Sequence, residues 1–339
     1  MRKGERTGWL RVAVAVLVLG LAAWAANHPT AQTSTLAQAE RLVDWGRLKQ
    51  ARSLLQTATN DAGNQSNAPL LAYLGHIEAR FGNLQAARAL TDKALKLDQA
   101  CASCHLYRFE ALARHAETLS QFRALLKLHA IKKQLQKAEQ LDPHMGDVQW
   151  GWIRFDLAVP ASLGGGSGDA LKHAAVLSRI DPVDGHLARA SIFTSQGKSQ
   201  EALAEYRAAA QEYPNDPQAL FALGKALYQQ GDYSAAAGLL DRAWKLDPAS
   251  AFYGAYHAAD LVRLGQSQQA QAVLQTAQQQ HPDSRLGDFL TAQALADTGQ
   301  NFAWAKQLLA RYLAVPPEPE QATAADARKL LASLSQSGS

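Results

Sequence analysis

Two cysteines and a histidine form the most chemically distinctive motif of the chain, Cys101-Ala-Ser-Cys104-His105. Its Cys-x-x-Cys-His spacing is that of c-type haem attachment, in which both thiols bind vinyl groups and the histidine ligates iron. The motif falls at the predicted start of a helix, which must pack against its neighbours and leaves little room for a macrocycle. We therefore expect a local disulfide or buried thiols and no cofactor, with covalent haem c as the alternative. A thioredoxin-like role is disfavoured, because no βαβ pattern surrounds the motif.

No second pattern points to catalysis or to a metal. The ten histidines are scattered without metal-ligand spacing, and neither a Gly-x-Ser-x-Gly nor a His-Glu-x-x-His motif occurs. Asp216 and Asp247 each precede a proline, which suits linkers between helices better than acid/base pairs. We therefore predict no catalytic residue, no metal site and no enzyme activity.

Most of the positive charge lies at the N-terminus. The 339 residues include 34 Lys and Arg against 30 Asp and Glu, a formal net charge of +4. The first 26 residues hold four of the basic residues and one acid, which leaves 30 basic and 29 acidic residues in the remainder. The remainder therefore lacks the strong positive field that attracts nucleic acid. We expect protein or peptide partners and no nucleic acid.

The same segment predicts export. Basic side chains precede the uncharged run Val12–Ala26, the order found in signal peptides and in N-terminal membrane anchors; they are Arg2, Lys3, Arg6 and Arg11. As a helix the run spans about 22 Å, less than the roughly 30 Å of a hydrocarbon core, which favours cleavage. Trp9 and Trp24 flank it like interfacial anchors, which favours retention. We predict a signal peptide or anchor over 1–26 and a periplasmic remainder, soluble or tethered to the inner membrane, of unknown oligomeric state.

A 34-residue period organises the rest of the chain. Four prolines and four glycines recur at this spacing: Pro214, Pro248, Pro282 and Pro316, and Gly197, Gly231, Gly265 and Gly299. The apolar residues between them follow helical spacing. The pattern predicts two helices per unit, a left-handed glycine at the turn between them and a proline after the second helix. Because no unit can bury its apolar face alone, the units must stack.

The segment Pro217–Ser250 most clearly resembles the tetratricopeptide repeat (TPR) family, through Leu220, Leu223, Gly224, Leu227, Gly231, Tyr233, Ala236, Leu240, Ala243 and Pro248. The resemblance implies an all-α, right-handed superhelical solenoid. We assign regular units to 183–318, looser units with insertions to 27–182, and a capping helix with a tail to 319–339. This division contains about eight helix pairs, a long second helix near 119–140 and a final helix near 321–335.

The insertion Pro160-Ala-Ser-Leu-Gly-Gly-Gly-Ser-Gly is the most distinctive loop. It resembles a loop in exported bacterial TPR proteins, some of which are accessory subunits of TRAP-type solute transporters. It lacks the Lys-Ser/Thr pair of a phosphate-binding loop. We expect an inter-helix loop, with Asp169 capping the helix that follows.

The resemblance also implies a binding face, because the first helices of TPR arrays line a concave groove. The residues it places there are Leu187, Phe221, Lys225, Tyr228, Phe252, Arg263 and Phe289. The Lys/Asn/Arg clamp of chaperone-binding TPR proteins is replaced here by Leu, Phe and Ala, so the strip suits an apolar peptide or a partner helix. Alternatively, its aromatic rings pack within the stack.

Together these observations predict a non-catalytic protein-interaction scaffold in the bacterial periplasm. One alternative is a c-type haem electron-transfer protein that uses Cys101, Cys104 and His105. The other is an accessory subunit of a solute transporter or of a cytochrome maturation system.

Overall fold

The computed structural model describes residues 34–336, in which seventeen α-helices occur and no strand. They are α1 (Thr35–Asp44), α2 (Leu48–Asn60), α3 (Ala68–Arg80), α4 (Leu84–Leu97), α5 (Ala102–Glu117), α6 (Gln121–Leu141), α7 (Gly146–Ala158), α8 (Ser167–Ile180), α9 (Pro182–Ser195), α10 (Ser199–Glu212), α11 (Pro217–Gln230), α12 (Tyr233–Leu246), α13 (Ala251–Arg263), α14 (Ser267–Gln280), α15 (Leu286–Thr298), α16 (Phe302–Leu313) and α17 (Ala324–Gln336). Eight consecutive pairs and a final helix confirm the expected all-α repeat architecture. The long helix α6 also lies where the sequence predicts it.

Helix α11 shows how the sequence sets one repeat. Asp216 caps it by accepting a 2.8 Å hydrogen bond from the Ala219 N–H, and Pro217 occupies the first turn. Leu220, Leu223 and Leu227 form its buried face. The helix ends at Gly231, whose φ of 84° is the left-handed conformation that glycine adopts without strain. The other three glycines of the 34-residue series have φ between 68° and 75°.

Two compact units divide the described residues. The first comprises 34–43 and 48–205, and the second comprises 44–47 and 206–336. In the second unit α13, α15, α16 and α17 enclose a core built mainly from alanine and leucine. In the first unit α3, α5 and α7 follow one another as the first helices of successive pairs.

The glycine-rich insertion in the first unit has a defined backbone. A 3-10 turn covers Ala161–Leu163, and the carbonyl of Gly164 accepts a 3.1 Å hydrogen bond from Lys132 of α6. A Cβ on Gly165 would lie 2.4 Å from the carbonyl oxygen of Val159, so only glycine fits there. Asp169 does not cap α8 as expected, because Gly166 occupies the cap position and the Asp169 carboxylate pairs with Lys172 instead.

None of the helices within residues 34–336 is long and apolar enough to cross a membrane. The predicted leader, residues 1–26, lies outside the described residues.

We expect Gly185→Ala to destabilise the first unit. Its Cβ would lie 2.1 Å from Ser178 Oγ and 2.6 Å from Ser178 Cα, so α9 must move away from α8. The expected loss is about 2 kcal/mol of unfolding free energy, measured by denaturant titration with circular dichroism. Gly238→Ala is the matched control, because nothing lies within 4 Å of that helical glycine. It should stabilise the second unit by about 0.5–1 kcal/mol. Equal effects of the two variants would contradict the close packing.

Candidate functional site

Aromatic rings from α11, α12 and α13 meet in the second unit. The Phe221 ring lies 4.6 Å from that of Tyr253 and 5.4 Å from that of Tyr256. Tyr228 lies 5.6 Å from Tyr256 and 5.4 Å from Tyr233. These five residues form what we call the aromatic cluster. All except the buried Tyr253 are half-buried, so part of their surface faces solvent.

Lys225 extends over this cluster without an anionic partner. Its Nζ lies 5.3 Å from the centre of the Tyr256 ring and 6.0 Å from that of Phe221, within cation–π range. Among residues 34–336 it makes no ion pair or hydrogen bond. Burial lowers the pKa of Lys225 to about 8, because nothing nearby compensates the loss of water around the ammonium group.

Arg263 closes one side of the cluster. Its guanidinium carbon lies 5.4 Å from the centre of the Tyr233 ring, and the side chain donates to the carboxylate of Asp297. Burial, opposed by a hydrogen bond from Arg263, raises the pKa of Tyr228. Arg263 is therefore already paired, and Lys225 is the cation of the cluster that a ligand can reach without displacing an existing partner.

Asp260 is buried beneath the same face of α13. The residue is 0% exposed, and neither carboxylate oxygen has a hydrogen-bond partner among the described residues. Burial raises the pKa of Asp260 to about 7. A buried carboxylate without a donor is costly in its charged form, so Asp260 makes this part of the fold sensitive to pH.

The other residues predicted for the groove lie elsewhere. Leu187 is 7% exposed and belongs to the core of the first unit. Phe289 packs against the core of the second unit, with its ring 5.2 Å from that of Tyr312. Phe252 packs against Gly46, where a Cβ would lie 2.7 Å from its ring. The structure therefore brings together Phe221, Lys225, Tyr228 and Arg263 only.

Three members of the cluster, Tyr233, Tyr253 and Tyr256, are not among the residues predicted for the groove, and Tyr233 entered only as a match to the repeat pattern. Tyr253 and Tyr256 do not occupy positions that the TPR resemblance assigns to the concave face. The signal that identifies them is a pair of tyrosines three residues apart, in the repeat that follows Phe221 and Tyr228. Such a pair projects from one side of a helix, here the side that faces α11.

A second group, which we call the charged cluster, lies in the first unit. Glu110 of α5 pairs with His76 Nδ1 of α3 and accepts a hydrogen bond from Arg154 of α7. All three side chains are mostly buried, at 11%, 6% and 16% exposure respectively. The Tyr107 ring lies 5.4 Å from His76. Burial alone would raise the pKa of Glu110, but His76 and Arg154 lower it to about 2.

The charged cluster was also missed, although its spacing is visible in the sequence. His76 and Glu110 are 34 residues apart, and Arg154 follows at 44 because an insertion lengthens that unit. Each therefore occupies the same position in its repeat. In the same unit, burial and the charge of Asp147 raise the pKa of Glu40 to about 7.

The Cys101–Cys104 motif does not fit a covalent haem. The two sulfur atoms form a disulfide at the start of α5, and Cys104 is 0% exposed. Both ring nitrogens of His105 have partners, with Nδ1 2.8 Å from Gln134 Oε1 and Nε2 3.1 Å from the Gln99 carbonyl oxygen. Attachment would need both sulfurs and a free histidine nitrogen on one open face. In residues 34–336 no group of three His, Cys, Asp or Glu side chains is arranged to hold a metal ion.

We expect Glu110→Gln to destabilise the first unit by about 3 kcal/mol at pH 7, because Arg154 and His76 lose their carboxylate. The folded pKa of Glu110 lies below the unfolded value, so this contribution is present above about pH 4.3 and is lost as pH falls towards 2. Denaturant titrations between pH 2 and 7 measure it. The control Glu201→Gln, at an exposed carboxylate, should cost less than about 1 kcal/mol. A pH-independent difference would contradict the pairing.

Asp260→Asn should show the opposite pH dependence. The folded pKa of Asp260 lies above the unfolded value, so ionisation destabilises the fold as pH rises from about 4 through 7. The variant should match the wild type near pH 4 and exceed it by about 2 kcal/mol or more at pH 8, measured by the same titrations. The control Asp61→Asn replaces an exposed carboxylate and should show no such trend. A lower stability of Asp260→Asn at pH 8 would reveal a partner for this carboxylate.

Comparison with known proteins supports the repeat assignment. Residues 187–251 and 257–319 match the family model of the tetratricopeptide repeat. Among solved structures, yeast Tom70 is similar at 14% identity and a TM-score of 0.61, covering 97% of this chain and 70% of Tom70. A thermophilic TPR protein of Thermus thermophilus has 19% identity and a TM-score of 0.47, covering 58% of this chain and 100% of its own. At 14% identity the likeness to Tom70 shows the fold alone. No curated protein matches the chain by sequence.

Proposed function

We propose that this chain, whose residues 187–251 and 257–319 match the family model of the tetratricopeptide repeat, is a non-catalytic scaffold that binds an extended segment of a partner protein at its aromatic cluster. The observation that carries the proposal is Lys225, an unpaired ammonium group among partly exposed aromatic rings. The partner segment that fits has an apolar or aromatic side chain next to a carboxylate. The rings of the cluster contact the apolar or aromatic side chain, and Lys225 pairs with the carboxylate.

The aromatic half of this pairing follows from accessible surface. Phe221, Tyr228 and Tyr256 are half-buried and come from two successive first helices. Aromatic rings supply a large contact area at a low cost in side-chain entropy, and edge-to-face packing orients an incoming ring. The Phe221–Tyr256 and Tyr228–Tyr256 pairs already have this edge-to-face arrangement, with interplanar angles of 79° and 83°. An aromatic side chain of the partner could therefore pack edge-to-face against the same rings.

The acidic half follows from charge. Burial lowers the pKa of Lys225 to about 8, because the loss of water destabilises its charged ammonium form. A carboxylate from a partner would restore the missing counter-charge and form a charge-assisted hydrogen bond. Binding would then relieve a cost that the free protein carries. This differs from a clamp made of several cations, because Arg263 already donates to Asp297.

We also propose a periplasmic location. The basic segment and uncharged run of residues 1–26 support it from sequence. The Cys101–Cys104 disulfide supports it from chemistry, because such bonds persist in oxidising compartments. Electron transfer through haem is not proposed, since the motif does not fit that group. The near-neutral balance of the remainder, 30 basic against 29 acidic residues, favours a protein partner over nucleic acid.

Peptide selection tests the proposed ligand. Random peptides displayed on phage and selected on the full chain should converge on an aromatic residue beside Glu or Asp. For a selected peptide, Lys225→Met should weaken binding about tenfold in fluorescence polarisation, which corresponds to about 1.4 kcal/mol. The peptide with Gln or Asn in place of the acid should already bind weakly and lose little more on Lys225→Met. Additive effects of the two changes would contradict a direct contact.

Two further variants complete the experiment. Tyr256→Ala should weaken acidic and amide peptides alike, because it removes ring contacts. Gln229→Ala, at an exposed position beside Tyr228, should leave binding unchanged. Lys225→Met should also raise stability by about 1 kcal/mol at pH 7, since a buried charge without a partner is removed. A less stable Lys225→Met variant would show that Lys225 has a structural partner.

A further inference from the structure

The disulfide at the start of α5 joins two residues of a single helical turn. Cys101 is the cap of the helix and Cys104 lies in its first turn, so the bond connects no second helix to α5. Stabilisation by a disulfide grows with the length of chain that it closes, and this loop contains only two intervening residues. A disulfide that stabilises a fold usually links residues far apart in the chain. The position of this bond points to chemistry more than to stability.

The cap position suits a cysteine thiolate. The Cys104 backbone N–H lies 3.1 Å from Cys101 Sγ and donates to it, and Ser103 Oγ lies 3.4 Å from the same sulfur. Free N–H groups and the helix dipole place partial positive charge at this end of α5. Cys-x-x-Cys motifs and helix N-termini both stabilise a thiolate, which favours the reduced form and makes the sulfur a good leaving group. Both features, the Cys-x-x-Cys spacing and the helix N-terminus, are local and do not require a thioredoxin fold.

The two sulfurs differ in access. Cys101 is 8% exposed, whereas Cys104 is 0% exposed. Both residues are buried, but only Cys101 keeps any exposed surface, so an external thiol is expected to attack at Cys101 and not at Cys104. Such an asymmetry assigns the roles in an exchange reaction, because the partly exposed sulfur forms the mixed disulfide and the buried one is the leaving group.

We propose that Cys101–Cys104 is a redox-active disulfide that exchanges with external dithiols through Cys101 Sγ. A thiolate of the dithiol attacks Cys101 Sγ, and Cys104 leaves as a thiolate and takes up a proton. The second thiol of the dithiol then loses its proton and attacks the dithiol-derived sulfur of the mixed disulfide. Cys101 is released as a thiolate at the N-cap of α5. Two electrons pass to the protein, and the external dithiol becomes a disulfide. The reaction is independent of peptide binding at the aromatic cluster.

Thiol counting on the folded chain tests the exchange. The full chain is equilibrated with mixtures of dithiothreitol and its oxidised form, quenched with acid and tagged with a maleimide reagent that shifts its gel mobility. Two thiols per chain should appear while circular dichroism still reports folded helices, and oxidised dithiothreitol should remove them again. Thiols that appear only after urea has unfolded the helices would overturn the proposal.

Single-cysteine variants test the assigned roles. Cys104→Ser leaves Cys101, and Cys101→Ser leaves Cys104. With Ellman's reagent under native conditions, Cys104→Ser should react at least about tenfold faster than Cys101→Ser. The cysteine that remains in Cys104→Ser is Cys101, which lies at the helix N-cap and is the only one of the two with exposed surface. In urea the two rates should converge, which shows that the difference comes from the fold. Equal native rates, or a faster reaction of Cys101→Ser, would overturn the assignment of Cys101 as the exchanging sulfur.

Discussion

Each helix pair in this chain can bury its apolar face only against a neighbouring pair. This stacking sets which helices lie side by side and which side chains meet. It requires the first helices of successive pairs to lie side by side, as α3 and α5 do. Residues one period apart then become neighbours, which is how His76 meets Glu110 across 34 residues of sequence. Close approach of one pair to the next needs small residues, and Gly185 of α9 against Ser178 of α8 is the tightest example among the described glycines. The same stacking that buries leucine therefore also builds clusters of polar side chains.

Stacking buries charges in both units, but their surroundings differ. Glu110 is compensated by His76 and Arg154, and its pKa falls to about 2. Lys225 is half-buried and Asp260 fully buried, both without a counter-charge, so their pKa values move in the directions that favour their neutral forms. Compensated charges fix the geometry of a fold, whereas uncompensated ones are retained at a cost to stability. Natural proteins tend to accept such a cost where a ligand supplies the missing partner, which is why the aromatic cluster is the stronger candidate for binding.

The cysteine motif shows how local structure selects among the chemistries that a spacing allows. Cys-x-x-Cys-His matches haem attachment, a disulfide and a thiol-exchange centre equally well as a string of letters. Placing Cys101 at the cap of α5 puts both sulfurs in one turn, buries Cys104 and leaves His105 bonded to Gln134 and Gln99. These contacts remove the open face that haem needs and retain what sulfur exchange needs.

Helix periodicity, glycine turns and prolines are local signals, so the amino-acid sequence predicts the helices, their pairing and their approximate number. It also identified Phe221, Lys225 and Tyr228, which lie at positions that the repeat turns towards one face. Three results come from packing and are absent from the repeat pattern. Tyr253 and Tyr256 join this group, Leu187 lies in one core while Phe289 packs against the other, and His76, Glu110 and Arg154 form one cluster. Periodicity specifies only which side of a helix is buried. Which side chain meets which, and which charge is left without a partner, depends on the packing of helices far apart in the chain.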